Sequence, residues 1–369
     1  MKVFHCDHCG NLVFFENVQC LQCGAPLGFL PDVQEVGSLE PAGEGLFTSP
    51  GDKEQRHYRL CENYTQHNVC NWAIPATDDH ELCGSCRVTQ VIPDLSVPGH
   101  KQAWFKLEVA KRRLAYSIFA LGLPVENREV DPDGGIAFEF LADPPKDAKD
   151  AKPVLTGHAN GVITINIAEA DDAERERRRL AMHEPYRTLL GHFRHEVGHY
   201  YWDRLIRDTD RLEPFRQVFG DERQDYGEAL KRHYANGPPP DWQGNFVTTY
   251  ATAHPWEDWA ETWAHYLHMT DVLETAACCG VSLRPREANK PTLKAVPDPT
   301  SDKRPAFDRL IESWFPLTYM LNSLNRGMGL PDGYPFVLSP PVIEKLRFIH
   351  DTVAAQRPKT ATKWLWFLG

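Results

Sequence analysis

The sequence has no stretch approaching the run of about 18 apolar residues that a membrane-crossing helix needs. Its opening residues, MKVFHCDHCG, lack an apolar h-region, so no cleaved secretory signal is expected. An excess of positive charge is missing too. Across 369 residues, 40 Lys and Arg face 51 Asp and Glu, a formal net charge of −11. That balance disfavours a protein built to grip nucleic acid or an anionic membrane, and neither is expected as a partner. It sharpens in residues 1–100, where two Lys and three Arg face six Asp and seven Glu. Compositional extremes are also absent: 42% hydrophobic and 25% charged residues argue against wholesale disorder. Proline, in contrast, is plentiful at 29 residues, which favours many chain-reversing loops over a long solenoid.

Cysteine is where the sequence becomes specific. Eight of the ten cysteines lie in the first hundred residues, in ordered pairs. Without an export signal, metal binding accounts for them better than disulfides do, and a reducing, cytoplasmic setting is expected. Cys6, Cys9, Cys20 and Cys23 form two CxxC turns with ten residues between them. Each turn offers two thiolates to one ion, and the glycine after each second cysteine permits the backbone such turns favour. This predicts a zinc ribbon, with zinc preferred to iron for an isolated four-cysteine site.

A second set, Cys61, Cys70, Cys83 and Cys86, closes on a proper CxxC turn, but eight residues separate its opening pair. His67 or His80 is placed to substitute for one of its cysteines. Segments this short bury little core alone, so metal binding would supply their folding free energy. Four thiolates around one Zn²⁺ add negative charge, which suits a protein contact better than a nucleic-acid one.

Beyond a Pro/Gly linker at residues 93–100, apolar spacing predicts a helix over 104–121. Ile136, Phe138 and Phe140 alternate as a strand. Asn160-Gly161 signals a hairpin leading to Ile163, Ile165 and Ile167, a strand expected to offer its edge to an extended peptide. The charged run over 171–182 reads as a solvated helix or loop. Helices are predicted over 186–207, 255–270, 306–324 and 342–355. Loop-rich chain is expected around Pro238–Pro240 and over 284–305. Cys278-Cys279 reads as a pair of small buried residues. Strands followed by helices make this an α+β fold.

Within the helix over 186–207 stand His195-Glu196-Val197-Gly198-His199. Histidines at i and i+4 share a helix face, so both imidazoles reach one ion, and Glu196 is placed to take a proton from a zinc-bound water. The metzincin extension would need Gly at 202 and His at 205, but Trp202 and Leu205 stand there, excluding it. Downstream comes His254-Pro255-Trp256-Glu257-Asp258-Trp259-Ala260-Glu261. Pro255 suits the first helical position, which sets Glu257 in the first turn, where the macrodipole favours negative charge. Glu261 lies one turn deeper, placed to buttress a zinc histidine. Asp203, one turn after His199, is either a similar buttress or a helix-surface charge. His265 and His268 are fallback ligands. The tryptophans at 256, 259 and 263 read as core.

HEVGH followed by EDWAE is similar to the gluzincin pattern, and its Glu-x-x-Ala-Glu form resembles the toxin-like zinc peptidases related to anthrax lethal factor. With two cysteine sets ahead of RHEVGHYYWD and HPWEDWAETWAHYL, residues 1–275 resemble the bacterial zinc-ribbon family named "putative zinc-binding metallopeptidase". The resemblance implies His195, His199 and Glu257 as zinc ligands and Glu196 as general base. In lethal-factor-like enzymes a Tyr seven residues before the ligand Glu faces the metal, and Tyr250 holds that place here. Tyr250 or His254 would then donate to the developing oxyanion.

The expected organisation is tandem zinc ribbons in residues 1–98 (the first over 1–30, the second over about 56–90) and a zincin-like metallopeptidase domain over 99–369. One catalytic and two structural Zn²⁺ ions are expected, with a peptide or protein as substrate and a protein partner for the ribbons. The alternatives are a zinc amidase or isopeptidase acting on a non-standard amide, and a non-catalytic zinc-ribbon adaptor.

Overall fold

The computed structural model describes residues 1–145, 152–181, 187–287, 289–301 and 303–356. The chain divides into two compact units, one spanning residues 2–174 and one starting at residue 175 that also takes Met1. Mixed helix and sheet, as expected, are unequally shared: among the described residues every strand lies in the first unit and most helices in the second.

The first unit opens with short strands β1 (Phe4–His5) and β2 (Leu12–Val13), which pair antiparallel across the first cysteine turn. A hairpin follows, β3 (Leu27–Leu30) with β4 (Glu35–Ser38). Strands β5 (Glu40–Pro41), β6 (Phe47–Thr48), β7 (Tyr58–Leu60) and β8 (Ala73–Pro75) then make an antiparallel sheet. Sequence periodicity assigned nothing to residues 31–55, because strands of two to four residues are too short to show alternation. One-turn helices α1 (Glu62–Thr65) and α2 (Gly84–Arg87) carry cysteines of the second set at or beside their N-termini.

Helix α3 (His100–Ala120) starts four residues before the predicted position, after Gly99, whose φ of 88° turns the chain into it. It supplies Tyr116 to an aromatic core shared by both cysteine segments. Phe15 packs on Phe29 with ring centroids 5.0 Å apart, Phe29 on Trp72 at 4.8 Å, and Phe15 on Tyr116 at 5.7 Å. The cysteine segments therefore do not fold as separate beads.

A second sheet has the order β11-β12-β10-β9, from β9 (Thr89–Val91), β10 (Ala137–Leu141), β11 (Gly157–Ala159) and β12 (Val162–Asn166). Strands β9 and β12 both run parallel to β10, so β9, α3 and β10 form a crossover unit. The Asn160-Gly161 turn joins β11 to β12 as the sequence predicts, with φ of 48° and 82°. The expectation that the Ile163–Ile167 strand offers a free edge fails, however: β12 is hydrogen-bonded on both sides, and Ile167 has already entered a 3₁₀ turn.

Helix α4 (Asp172–Ala181) covers the charged run as far as it is described; Met182, with Tyr186 from the next predicted helix, lies outside the described residues. The second unit continues with α5 (Leu189–Leu205), α6 (Leu212–Phe219), α7 (Tyr226–Asn236), α8 (Pro255–Cys278), α9 (Phe307–Gly327) and α10 (Pro340–Ala355). Helices α6 and α7 fall where loop was expected. The first is short but does carry an apolar face, Leu212, Phe215, Val218 and Phe219, with Pro214 in its first turn, and the sequence reading passed over it; the second buries only Ala229 and shows no such stripe. Helix α8 is central, packing against α5, α6, α9 and α10. It runs eight residues past the predicted end. Cys278 and Cys279, read as buried, are exposed there in its last turn and at its C-cap. Lys345 of α10 reaches the buried carboxylate of Asp258 at 2.7 Å. Among the described residues no helix is long and apolar enough to cross a membrane.

Candidate metal centre

The site is built on the crossing of α5 and α8. Thr188 starts α5 by accepting the Gly191 N–H on its hydroxyl at 3.0 Å. Gly198 lets the two helices touch: a Cβ there would sit 3.0 Å from the Ala260 Cα and 3.2 Å from the Trp263 Cβ. Trp259 fixes the crossing by donating its indole N–H to the Gly198 carbonyl at 2.8 Å. Trp259 and Trp263 are fully buried, in keeping with their reading as core.

This crossing lays the HEVGH face of α5 over the first two turns of α8. The Nε2 atoms of His195 and His199 stand 3.2 Å apart, and a Glu257 Oε2 lies 3.1 Å from the first and 3.5 Å from the second. Donors held at about 2.0–2.1 Å around a tetrahedral zinc would be about 3.3 Å apart, so the triangle fits that ion. Burial works against charge on Glu257, but His199 and His195 outweigh it and hold the carboxyl well below its ordinary range.

Glu261 lies behind His195, with Oε1 2.6 Å from Nδ1, and takes the Thr248 hydroxyl on its other oxygen at 2.7 Å. That bond places the His195 proton on Nδ1 and leaves the Nε2 lone pair for a metal. Asp203 pairs with Arg207 at 3.0 Å, and burial lifts its pKa against the pull of Arg207 and His199. Neither fallback histidine joins the cluster: His265 bonds Tyr334 at 2.7 Å and His268 faces Arg194.

Glu196 is buried between the helices. Desolvation raises its pKa, opposed by His195 and His199. The Tyr250 ring stands 5.9 Å from that of His195, and its hydroxyl bonds no described residue. Burial, with Glu257 nearby, keeps that phenol protonated well beyond its ordinary range. His254 is differently employed. As N-cap of α8 it accepts the Trp256 N–H on Nδ1 at 3.1 Å, and its Nε2 meets the Gln224 carbonyl at 3.2 Å. Besides Thr248, a second residue escaped the sequence reading: Tyr226 of α7 donates its hydroxyl to the Glu257 Oε1 at 2.6 Å. It lies 31 residues upstream in chain expected to be loop, and no spacing signalled it.

The two cysteine sets also assemble. Sulfurs of Cys6, Cys9, Cys20 and Cys23 lie within 4.8 Å of one another, as do those of Cys61, Cys70, Cys83 and Cys86. Pairs within both sets stand at 3.7 Å, close to the roughly 3.8 Å edge of a tetrahedral zinc thiolate site. The candidate substitutes are engaged elsewhere, His67 against the Trp104 ring and His80 with Asp78. Beside the second set, buried Arg112 of α3 donates to the Val69 carbonyl at 2.5 Å. Burial opposes its charge, but Cys70, Glu108, Cys86 and Cys83 keep it protonated. A cation there offsets part of the negative charge that four thiolates leave on one Zn²⁺.

Two family models match the chain. A zinc-ribbon domain covers residues 3–97, and the family described as "Putative zinc-binding metallo-peptidase" covers residues 100–352. Uncharacterized proteins of Mycobacterium bovis and Mycobacterium tuberculosis are 44% identical over 359 residues, 97% of this chain and 97% of theirs. No solved structure matches.

Proposed function

The chain belongs to the family described as "Putative zinc-binding metallo-peptidase", and from that premise we propose that it hydrolyses peptide bonds at a gluzincin-type centre formed by His195, His199 and Glu257. The observation that carries the reading is the donor triangle with a buried, uncoordinated carboxylate, Glu196, one residue from a ligand. A purely structural zinc site has no use for such a base. Zinc held by these donors supplies Lewis acidity, polarising a carbonyl and making water acidic near neutral pH.

The chain's own groups do the rest. Glu196 accepts the proton of the attacking water and returns it to the leaving amine; burial, by raising its pKa, makes it a better proton acceptor. Tyr250, with an uncommitted O–H next to His195, donates to the oxyanion, since His254 spends Nδ1 on the helix cap and Nε2 on the Gln224 carbonyl. Glu261 and Tyr226 hold His195 and Glu257 in place. Eight thiols serving as metal donors suit a reducing, cytoplasmic setting.

The test compares wild-type protein with Glu196→Gln on a peptide library, reading new termini by mass spectrometry. New termini should appear with wild type alone. Cleavage by a metal-replete Gln variant would overturn the mechanism.

A further inference from the structure

Helices α6 and α7 and the turn into α8 enclose a cleft of about 540 Å³. Its lining contains no Asp or Glu, in a chain that carries 51 of them. Phe219, Phe246 and the Pro238–Pro240 run give it apolar walls, and Arg232 gives it a cation. Nearby basic residues are neutralised: Lys231 by Glu228 at 2.7 Å, Arg216 by Glu222 at 2.5 Å, Arg223 by Asp221 at 2.8 Å. Arg232 forms no ion pair or hydrogen bond with any described residue. A concave surface with one uncompensated guanidinium and no competing carboxylate attracts an anion, and apolar walls favour one carried on a short aliphatic stem.

The cleft also lies within reach of the metal donors. His233 is part of its lining, and its ring is 6.0 Å from that of Tyr250, which is 5.9 Å from that of His195. Those two steps put the His233 edge of the cleft at most three or four residues of extended peptide from His195, at about 3.3 Å each.

We propose that this cleft is a specificity subsite of the metal centre, one that takes an Asp or Glu side chain of the substrate at one position a few residues from the scissile bond, with Arg232 binding its carboxylate. The inference rests on the peptidase reading for its position, though not for its chemistry.

Its test has two arms. In the first, a random-peptide display library is bound to metal-loaded Glu196→Gln protein and sequenced. Asp and Glu should be enriched at one position by about tenfold, equivalent to about 1.4 kcal/mol. That enrichment should disappear in Glu196→Gln/Arg232→Glu and persist in Glu196→Gln/Lys231→Gln, where the altered charge lies outside the cleft. In the second arm, wild type and Arg232→Glu cleave a peptide library, and the acidic preference at the matching position should be lost in the variant. Arg232 is exposed, so the variants should keep the wild-type circular dichroism spectrum. No acidic enrichment among bound peptides, or enrichment that survives Arg232→Glu, overturns the subsite. Enrichment that depends on Arg232 with no cleavage of any peptide keeps the subsite and overturns the peptidase reading.

Discussion

Glu257 and Glu261 are the same residue type one helical turn apart, yet their surroundings divide the work between them. Glu257 turns one oxygen to both imidazoles and gives the other to Tyr226, whereas Glu261 spends both oxygens on His195 and Thr248. Glu257→Ala should therefore release the zinc of this centre almost completely, while Glu261→Ala should weaken it by about 10–100-fold, as titration with a competing chelator would show. The reverse order would exchange their roles. Tyr226→Phe should weaken zinc without emptying the site.

The HEVGH and EDWAE groups could be picked out in sequence because side chains that meet at one point from one helix must repeat at a turn's spacing. Tyr226 obeys no such rule, since it meets Glu257 across the fold. Buried histidines give a separate signature in pH. His265 and His350 are held down to about 4 by burial, His265 against the pull of Glu261 and His350 with help from Arg304 and Arg347. Their folded pKa lies below the unfolded value of about 6.5, so their contribution to stability is complete above that pH and is lost as pH falls toward 4. The urea midpoint of His350→Asn should accordingly fall less between pH 7 and pH 4.5 than that of wild type. Equal falls would show that His350 titrates normally.

At the scale of elements, the α5–α8 crossing governs the centre, because every proposed ligand, and the Glu261 that backs His195, sits on one of those two helices. Gly198→Val should push α8 away at the Ala260 contact, costing about 1–3 kcal/mol in a chemical melt. It should also weaken zinc binding, although no ligand is altered. A variant with unchanged metal affinity would mean the crossing tolerates the displacement. Both helices were readable from their apolar spacing and from Pro255 at the first position. The sheet was harder. Strand β9 has three residues, and its parallel pairing with β10 depends on α3 crossing between them, so nothing local announces it. Pairing with β11 on one side and β10 on the other puts β12 inside the sheet, where an edge was expected.

For the molecule as a whole, three donor groups predict about three zinc ions per chain by elemental analysis. Chelation should remove one first, since four thiolates close a coordination sphere that two histidines and a carboxylate leave open. One metal per chain would reject both cysteine sites. Modules that recombine freely each carry a complete interior, and here the cysteine segments and α3 share one. A chimera joined between residues 97 and 100 would strip β10 of a neighbouring strand, turn Phe29 and Trp72 toward water, and leave Arg112 a buried charge without its thiolates. Exchanging the cysteine region between relatives should give soluble protein only when the junction moves to about residue 174, the end of the first compact unit. The natural unit of inheritance would then be the cysteine segments, α3 and the mixed sheet together.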